Sequence, residues 1–502
     1  MAWLMAYTRK SDATYYPDGL ARSMHLAYSL DGRQYHFLHD NYGLLFAEGR
    51  IDSENVILPQ GLKRPRLFAE KDGRFAIAAE LVRENGKSVP ENEESLFLWH
   101  TEDFLYYSEP VYISEEQIIE RWTCLPEMIK GNGQAEYPEG MDEASVLEIE
   151  DSVCKKLIHK RRGSAANRNL KRDELGYEYP FPLAKGYADP VIFPWEGKYY
   201  FISTNDNTND IGIYVREADY IPALFDTQIQ QHLILPYDEK RGLMQTFWAP
   251  EFHVIGGRLF ILFAVSGEKW EPQCHMMRLK EGGHITDSKS WEDPVRVKRS
   301  DGRFLSDTGI TLDMTYLHAR SGGWLVWSYR EHIGQPNDSG SMLYIARADE
   351  TNPWGIAGEP VLLSRPLYGW ENVAGTINNE GPHAFIRNGK IYLTYSGGSA
   401  NAYTYAIGLL TAREDADLTD LTSWQKRNAP VLSFASVPGL YGPGHNSFFT
   451  DEEGHLMIAC HGVTGYAEHE RCSEIHRICF DEEDEPIFEG YKGEIENEKA
   501  GI

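Results

Sequence analysis

Five stretches of the chain repeat one pattern, and that repeat limits the folds open to it. They are "ADPVIFPWEGKYYFIST" from Ala188, "APEFHVIGGRLFILFAV" from Ala249, "LDMTYLHARSGGWLVWSYR" from Leu312, "NEGPHAFIRNGKIYLTYSG" from Asn379 and "GHNSFFTDEEGHLMIACHG" from Gly444. Each has a polar or charged residue, a short apolar strand, a glycine-containing turn, and a second strand rich in aromatic and aliphatic residues. Alternation broken by a tight turn marks a β-hairpin, and Asn388-Gly389 is the turn signal of the fourth stretch.

The anchor residues Asp189, Glu251, Asp313, Glu380 and His445 are separated by 62, 62, 67 and 65 residues. Further strand-like runs lie between them, such as "GIYVREA", "MLYIARA" and "YAIGLLTA", with closing phrases of the type "WEDPVRV", "GEPVLL" and "NAPVLS". Each unit has room for about four short strands, the make-up of a β-propeller blade. An open β-solenoid is the rival, but a period above 60 residues is long for one. The reading is an all-β chain with a five-bladed β-propeller over residues 181–490. Its first strands would surround one axis and bring three carboxylates and a histidine to one end of a channel.

Residues 1–113 carry weaker echoes of the unit. "PRLFAEKDGRFAIAAE" with "SLFLWHTEDFLYYSEPVYI" resembles a blade, but Arg66 sits near the position where the others have a carboxylate. This segment reads as a β-rich accessory domain. Residues 114–180 read as a helical connector, because Ser114 and Gln117 stand at capping-box spacing. The basic cluster Lys155, Lys156, Lys160, Arg161 and Arg162 fits cations at a helix C-terminus better than an anion site.

The formal charge of −27, from 49 Lys and Arg against 76 Asp and Glu, argues against nucleic acid and anionic membranes as partners. A neutral sugar suits it, and the 29 Tyr and 12 Trp favour β structure and carbohydrate contact. No run approaches the roughly 18 apolar residues of a membrane span. The start "MAWLMAYTRKSD" has neither a basic region before an apolar run nor a cleavage site, and the six cysteines show no CxxC pair. Unpaired thiols without a signal lead to the expectation of a cytoplasmic protein.

Glycoside hydrolysis with inversion needs two carboxyl groups about 6.5–9.5 Å apart, one protonating the leaving oxygen and the other activating water. Asp189 and Glu380 fit that pair, with Asp313 placed to raise or orient the acid. The five motifs, in their order and over about residues 180–480, resemble the blade starts of glycoside hydrolase family 43. The resemblance implies a five-bladed propeller that inverts at the anomeric carbon of α-L-arabinofuranosides or β-D-xylosides. By motif it implies Asp189 of "ADP" as general base, Asp313 of "LDMT" as pKa modulator and Glu380 of "NEGP" as general acid. It also implies a central metal, often calcium, near His445 of "GPGHNS". Met314 departs from the small residue many members carry there, and the N-terminal extension lies outside the likeness.

Around these residues, Trp248, Phe247 and Tyr187 are candidate sugar-stacking platforms, and Arg330 is a candidate substrate contact. Glu251 is expected to fix a blade start by hydrogen bonding. The expected activity is exo-acting α-L-arabinofuranosidase on arabinan, arabinoxylan or derived oligosaccharides. A β-D-xylosidase and a carbohydrate-binding propeller without turnover are the alternatives.

Overall fold

The computed structural model describes residues 1–83, 85–87, 95–122, 126–129, 135–161, 172 and 176–490. The chain is all-β with a few short helices and divides into two compact units. The first comprises Met1–Lys171 with Leu367–Gly375, and the second comprises Arg172–Pro366 with Thr376–Lys492.

The first unit holds two four-stranded antiparallel sheets. One runs through Gln60–Ala69, Phe75–Arg83, Ser95–Thr101 and Val111–Ser114. Its last strand passes into the helix Glu115–Trp122 through a reciprocal cap. Gln117 N donates to Ser114 Oγ at 3.2 Å, and Ser114 N donates to Gln117 Oε1 at 2.9 Å. The other sheet corrects the expectation of a helical connector. Met141–Ile149 is a strand, and it pairs along its length with Ala2–Arg9. Acidic residues interrupt its apolar run, which hides the strand in the sequence. The helix Asp151–Arg161 follows, with its cations in the last turn and Lys156 paired to Asp103 at 2.6 Å. Arg162 of that basic cluster and Cys124 lie outside the described residues. Arg66 is 1% exposed and its guanidinium is 3.0 Å from Glu115 and 3.7 Å from Glu80.

The second unit holds five four-stranded antiparallel sheets. Their first strands are Tyr187–Trp195, Gln245–Ile255, Ile310–Ala319, Asn379–Arg387 and Tyr441–Thr450. Each begins within or beside one of the repeated stretches. In the fourth, Arg387 pairs with Lys390 across Asn388 and Gly389, both at positive φ, as a two-residue hairpin turn requires. The second strands are covered on both faces and therefore read as unbroken apolar runs; "LFILFAVS" of Leu259–Ser266 is buried throughout.

The core lies between neighbouring sheets. Val191, Ile202 and Val215 of the first pack on Phe252, Ile261 and Phe263 of the second. Leu262 and Met276 of the second meet Leu325 and Trp327 of the third. Phe385 and Leu409 of the fourth meet Ile458 of the fifth. Ile192 and Phe201 of the first pack on Phe449 and Met457 of the fifth, so the last sheet returns to the first. The fifth sheet also takes its outer strand, Ala184–Lys185, from the chain just before the first sheet, paired with Cys472–Arg477.

Candidate active site

Every first strand of the second unit is broken by a bulge at its start. The pairing registers jump between Ala188 and Val191, Trp248 and Glu251, Leu312 and Thr315, Glu380 and His383, and Gly444 and Ser447. The first bulged residue has a positive φ each time: Asp189, Ala249, Asp313, Gly381 and His445, all between 46° and 56°. A bulge bends the strand and re-aims a side chain, and left-handed non-glycine residues store strain that the surrounding structure must hold. Gly381 needs its hydrogen for a second reason, since a Cβ there would lie 2.8 Å from the His445 ring.

This register corrects the alignment of the anchors. Asp189, Asp313 and His445 are equivalent, whereas Glu380 stands one residue before the bulge and Glu251 two residues after the equivalent Ala249. Glu251 does not hold a strand start; it is 3% exposed and lies 2.6 Å from His253 Nε2.

Asp189 is 5% exposed and surrounded by cationic or polar groups. Its Oδ1 is 3.2 Å from His445 Nδ1, 3.2 Å from His461 Nδ1 and 3.8 Å from an Arg471 nitrogen. Thr204 donates its hydroxyl to Oδ2. Burial alone would raise the pKa of this carboxyl. His445, His461 and Arg471 outweigh burial and hold it well below the usual carboxylate range. His461 Nδ1 also lies 3.1 Å from the Asp189 amide nitrogen, and its Nε2 lies 2.8 Å from the Ala400 carbonyl oxygen.

Asp313 and Glu380 are perturbed the other way. Asp313, 3% exposed, accepts from Ser328 Oγ and from the Gly381 amide, each at 3.2 Å. The second bond ties it to the segment that carries Glu380. Burial and the charge of Asp189 push Asp313 up to about 6. Burial first, and then the neighbouring Asp313, push Glu380 up to about 7. Glu380 is half-buried, the most open carboxylate of the three, and its Oε1 accepts from Tyr405 Oη at 2.9 Å. Tyr405 is fully buried and stacks on His461, with ring centroids 5.5 Å apart. One aromatic pair therefore braces the surroundings of Asp189 and of Glu380.

Other candidates divide. Trp248 is partly exposed and donates from its indole nitrogen to Asp210 Oδ2 at 2.9 Å. Phe247, in contrast, is 1% exposed and belongs to the core between the first two sheets, so it is not a sugar platform. Tyr187 has one face under Arg216, 4.3 Å from the ring centroid, and its hydroxyl accepts from Gln231. Arg330 is engaged by Asp338 through two hydrogen bonds of 2.9 and 2.8 Å. Arg471, His461 and Tyr405 join the site without a signal in the sequence. They come from late or second strands and loops, where no spacing rule relates them to Asp189 or Glu380.

A family model described as "Glycosyl hydrolases family 43" matches residues 179–486. The chain belongs to glycosyl hydrolase family 43. The chain is 33% identical over 294 residues to a protein of Streptomyces avermitilis named extracellular exo-α-(1→5)-L-arabinofuranosidase, covering 57% of this chain and 56% of that one. A protein of the same name from Streptomyces chartreusis is 31% identical over 294 residues, covering 58% of this chain and 84% of that one. The chain thus spans about half the length of the first relative. The crystal structure of an α-L-arabinofuranosidase from Lactobacillus brevis covers 62% of this chain and 96% of its own, with a TM-score of 0.53 and 29% identity. The two Streptomyces names overturn the cytoplasmic expectation. Its premise was weak physically: Cys154, Cys274, Cys460 and Cys472 are buried, and a buried thiol behaves as a small apolar side chain whatever the compartment.

Proposed function

We propose that the chain is an exo-acting, inverting glycoside hydrolase that releases terminal α-L-arabinofuranose from arabinose-containing oligo- or polysaccharides. The observation that carries this is the opposite perturbation of two carboxyls in one site. Asp189 is held ionised by His445, His461 and Arg471, while Glu380 is pushed up to about 7 and so keeps its proton on about half of the molecules at neutral pH. Environments that push two titratable groups apart assign base and acid. Asp189 accepts the proton of the attacking water, and Glu380 Oε–H protonates the departing oxygen. Asp313 keeps that proton on Glu380 by its charge and, through the Gly381 amide, holds the segment in place. Trp248, oriented by Asp210, offers an indole face to a sugar ring.

The substrate class rests on the family and on the names of the relatives in two Streptomyces species. An extracellular site of action fits a polymeric substrate. The sheets are read as five blades around a common axis, supported by the contacts of each first strand with the next and of Tyr441–Thr450 with Tyr187–Trp195. A central cation is supported by one atom, His445 Nε2, which is buried without a hydrogen-bond partner. Calcium takes six to eight oxygen ligands, so waters would supply most of its shell and His445 a single nitrogen, and the ion would supply positive charge beside Asp189.

The test is product analysis on linear (1→5)-linked arabino-oligosaccharides and on xylo-oligosaccharides. Release of arabinose alone, one residue at a time, is expected. Release of xylose, or of di- and trisaccharides from the start, replaces the reading with a xylosidase or an endo-acting enzyme. No cleavage of either leaves a binding protein.

A further inference from the structure

The bulges set up a second row of residues that the proposed chemistry does not use. Glu251, Thr315 and His383 each follow the bulge of their own first strand at the equivalent position, on the second, third and fourth sheets. His253 lies two residues beyond Glu251 and so shares its face of the strand. The Glu251 carboxylate is 2.6 Å from His253 Nε2 and 4.0 Å from His383 Nε2, and one ligand atom from each residue falls within 4.8 Å of the others. Thr315 Oγ1 is 3.3 Å from the same nitrogen of His253.

Two features make this more than a satisfied polar cluster. Among the described residues, the ion pairs of Glu251 are with His253 and His383 alone, so no lysine or arginine balances a carboxylate that is 3% exposed. A buried charge without a permanent counterion is expensive to maintain. Secondly, the ring of His383 is nearly buried and turns its Nε2 toward Glu251. The 4.0 Å between Glu251 and His383 is too long for a hydrogen bond, and a shift of about 0.6 Å brings it to the roughly 3.4 Å that separates two ligands of a tetrahedral ion with bonds of about 2.0–2.1 Å.

We propose that Glu251, His253 and His383 form a site for one divalent transition-metal ion of the zinc type. Two imidazoles and one carboxylate are the donor set of such an ion, leaving a fourth position for Thr315 or water. Calcium, which prefers oxygen, is a poor match for it. The ion would join three sheets and neutralise the carboxylate, which makes it a structural ion.

The test uses the full chain stripped with chelator and titrated with zinc chloride or calcium chloride in a calorimeter, with cobalt(II) absorption as an independent report of ligand geometry. A second group, Asp451, Glu453 and His455, lies on a more exposed turn, so the His455→Ala variant serves as the background. One zinc per chain at micromolar affinity is expected, with weaker calcium binding, a tetrahedral cobalt spectrum and a rise in Tm on adding zinc. His383→Gln and His253→Gln, each checked for native circular dichroism, should weaken zinc by at least about tenfold, the loss that even outer partners of a ligand cause. Absence of zinc binding in the His455→Ala background overturns the site, as does undiminished affinity in a folded His383→Gln protein. If His253→Gln does not fold, His383→Gln alone decides.

Discussion

Tyr405→Phe removes the 2.9 Å hydrogen bond from Tyr405 Oη to Glu380 Oε1, while leaving the aromatic ring that stacks on His461. That bond favours the ionised form of Glu380 and opposes the burial and the Asp313 charge that raise its pKa to about 7. A hydrogen bond to a charged group contributes about 1.5–3 kcal/mol, and one pKa unit corresponds to about 1.4 kcal/mol. The protonated carboxyl also keeps some bonding to the hydroxyl, so the low end applies and Glu380 should rise by about one unit. Its acid role requires the proton, so activity is full below the Glu380 pKa and lost as pH rises through it. The alkaline limb of kcat/KM on an arabino-oligosaccharide should therefore move from about pH 7 in the wild type to about pH 8 in Tyr405→Phe. An unmoved limb, or one shifted to lower pH, refutes the assignment of Glu380 as the group whose proton limits the rate.

Three further substitutions probe separate parts of the account. Arg471→Met removes a cation that lies 3.8 Å from Asp189 and also engages Asp206; the acidic limb of kcat/KM should rise in pH, because Asp189 then protonates more easily. A pH-rate profile with an unchanged acidic limb contradicts this. Gly381→Ala places a Cβ against the His445 ring at a positive φ, and calorimetry should show a loss of about 1–3 kcal/mol; an unchanged Tm is the contrary result. Phe247→Ala should cost about 3–5 kcal/mol of stability, whereas Trp248→Ala should raise KM with little change in Tm; equal stability losses would place Trp248 in the core as well.

The repeats were legible because hairpins advertise themselves locally. Asn388-Gly389 supplies the two positive φ angles that its turn needs, and the Ser114–Gln117 box appears with both of its bonds. The convergence of Asp189, Asp313 and His445 followed from their shared motif position. The bulge was not legible, because a two-for-one pairing changes which residue faces which way without changing composition. It moves Glu251 out of the row of Asp189 and into that of Thr315 and His383. The burial of Phe247 depends on a neighbouring sheet, and the strand Met141–Ile149 on a partner at the other end of its unit. Arg471, His461 and Tyr405 act through contacts with residues distant in sequence, which no spacing reveals.

The central claim is that Glu380 delivers the proton to the leaving oxygen, and Glu380→Gln tests it through the leaving group. The measurement is kcat/KM of wild type and variant on a (1→5)-linked arabino-oligosaccharide, whose sugar alkoxide must be protonated, and on 4-nitrophenyl α-L-arabinofuranoside, whose phenolate departs more readily without help. The account predicts a loss of about 10²–10⁴-fold on the oligosaccharide and a far smaller loss on the nitrophenyl glycoside. Equal losses on both substrates, or retained activity on the oligosaccharide, contradict it.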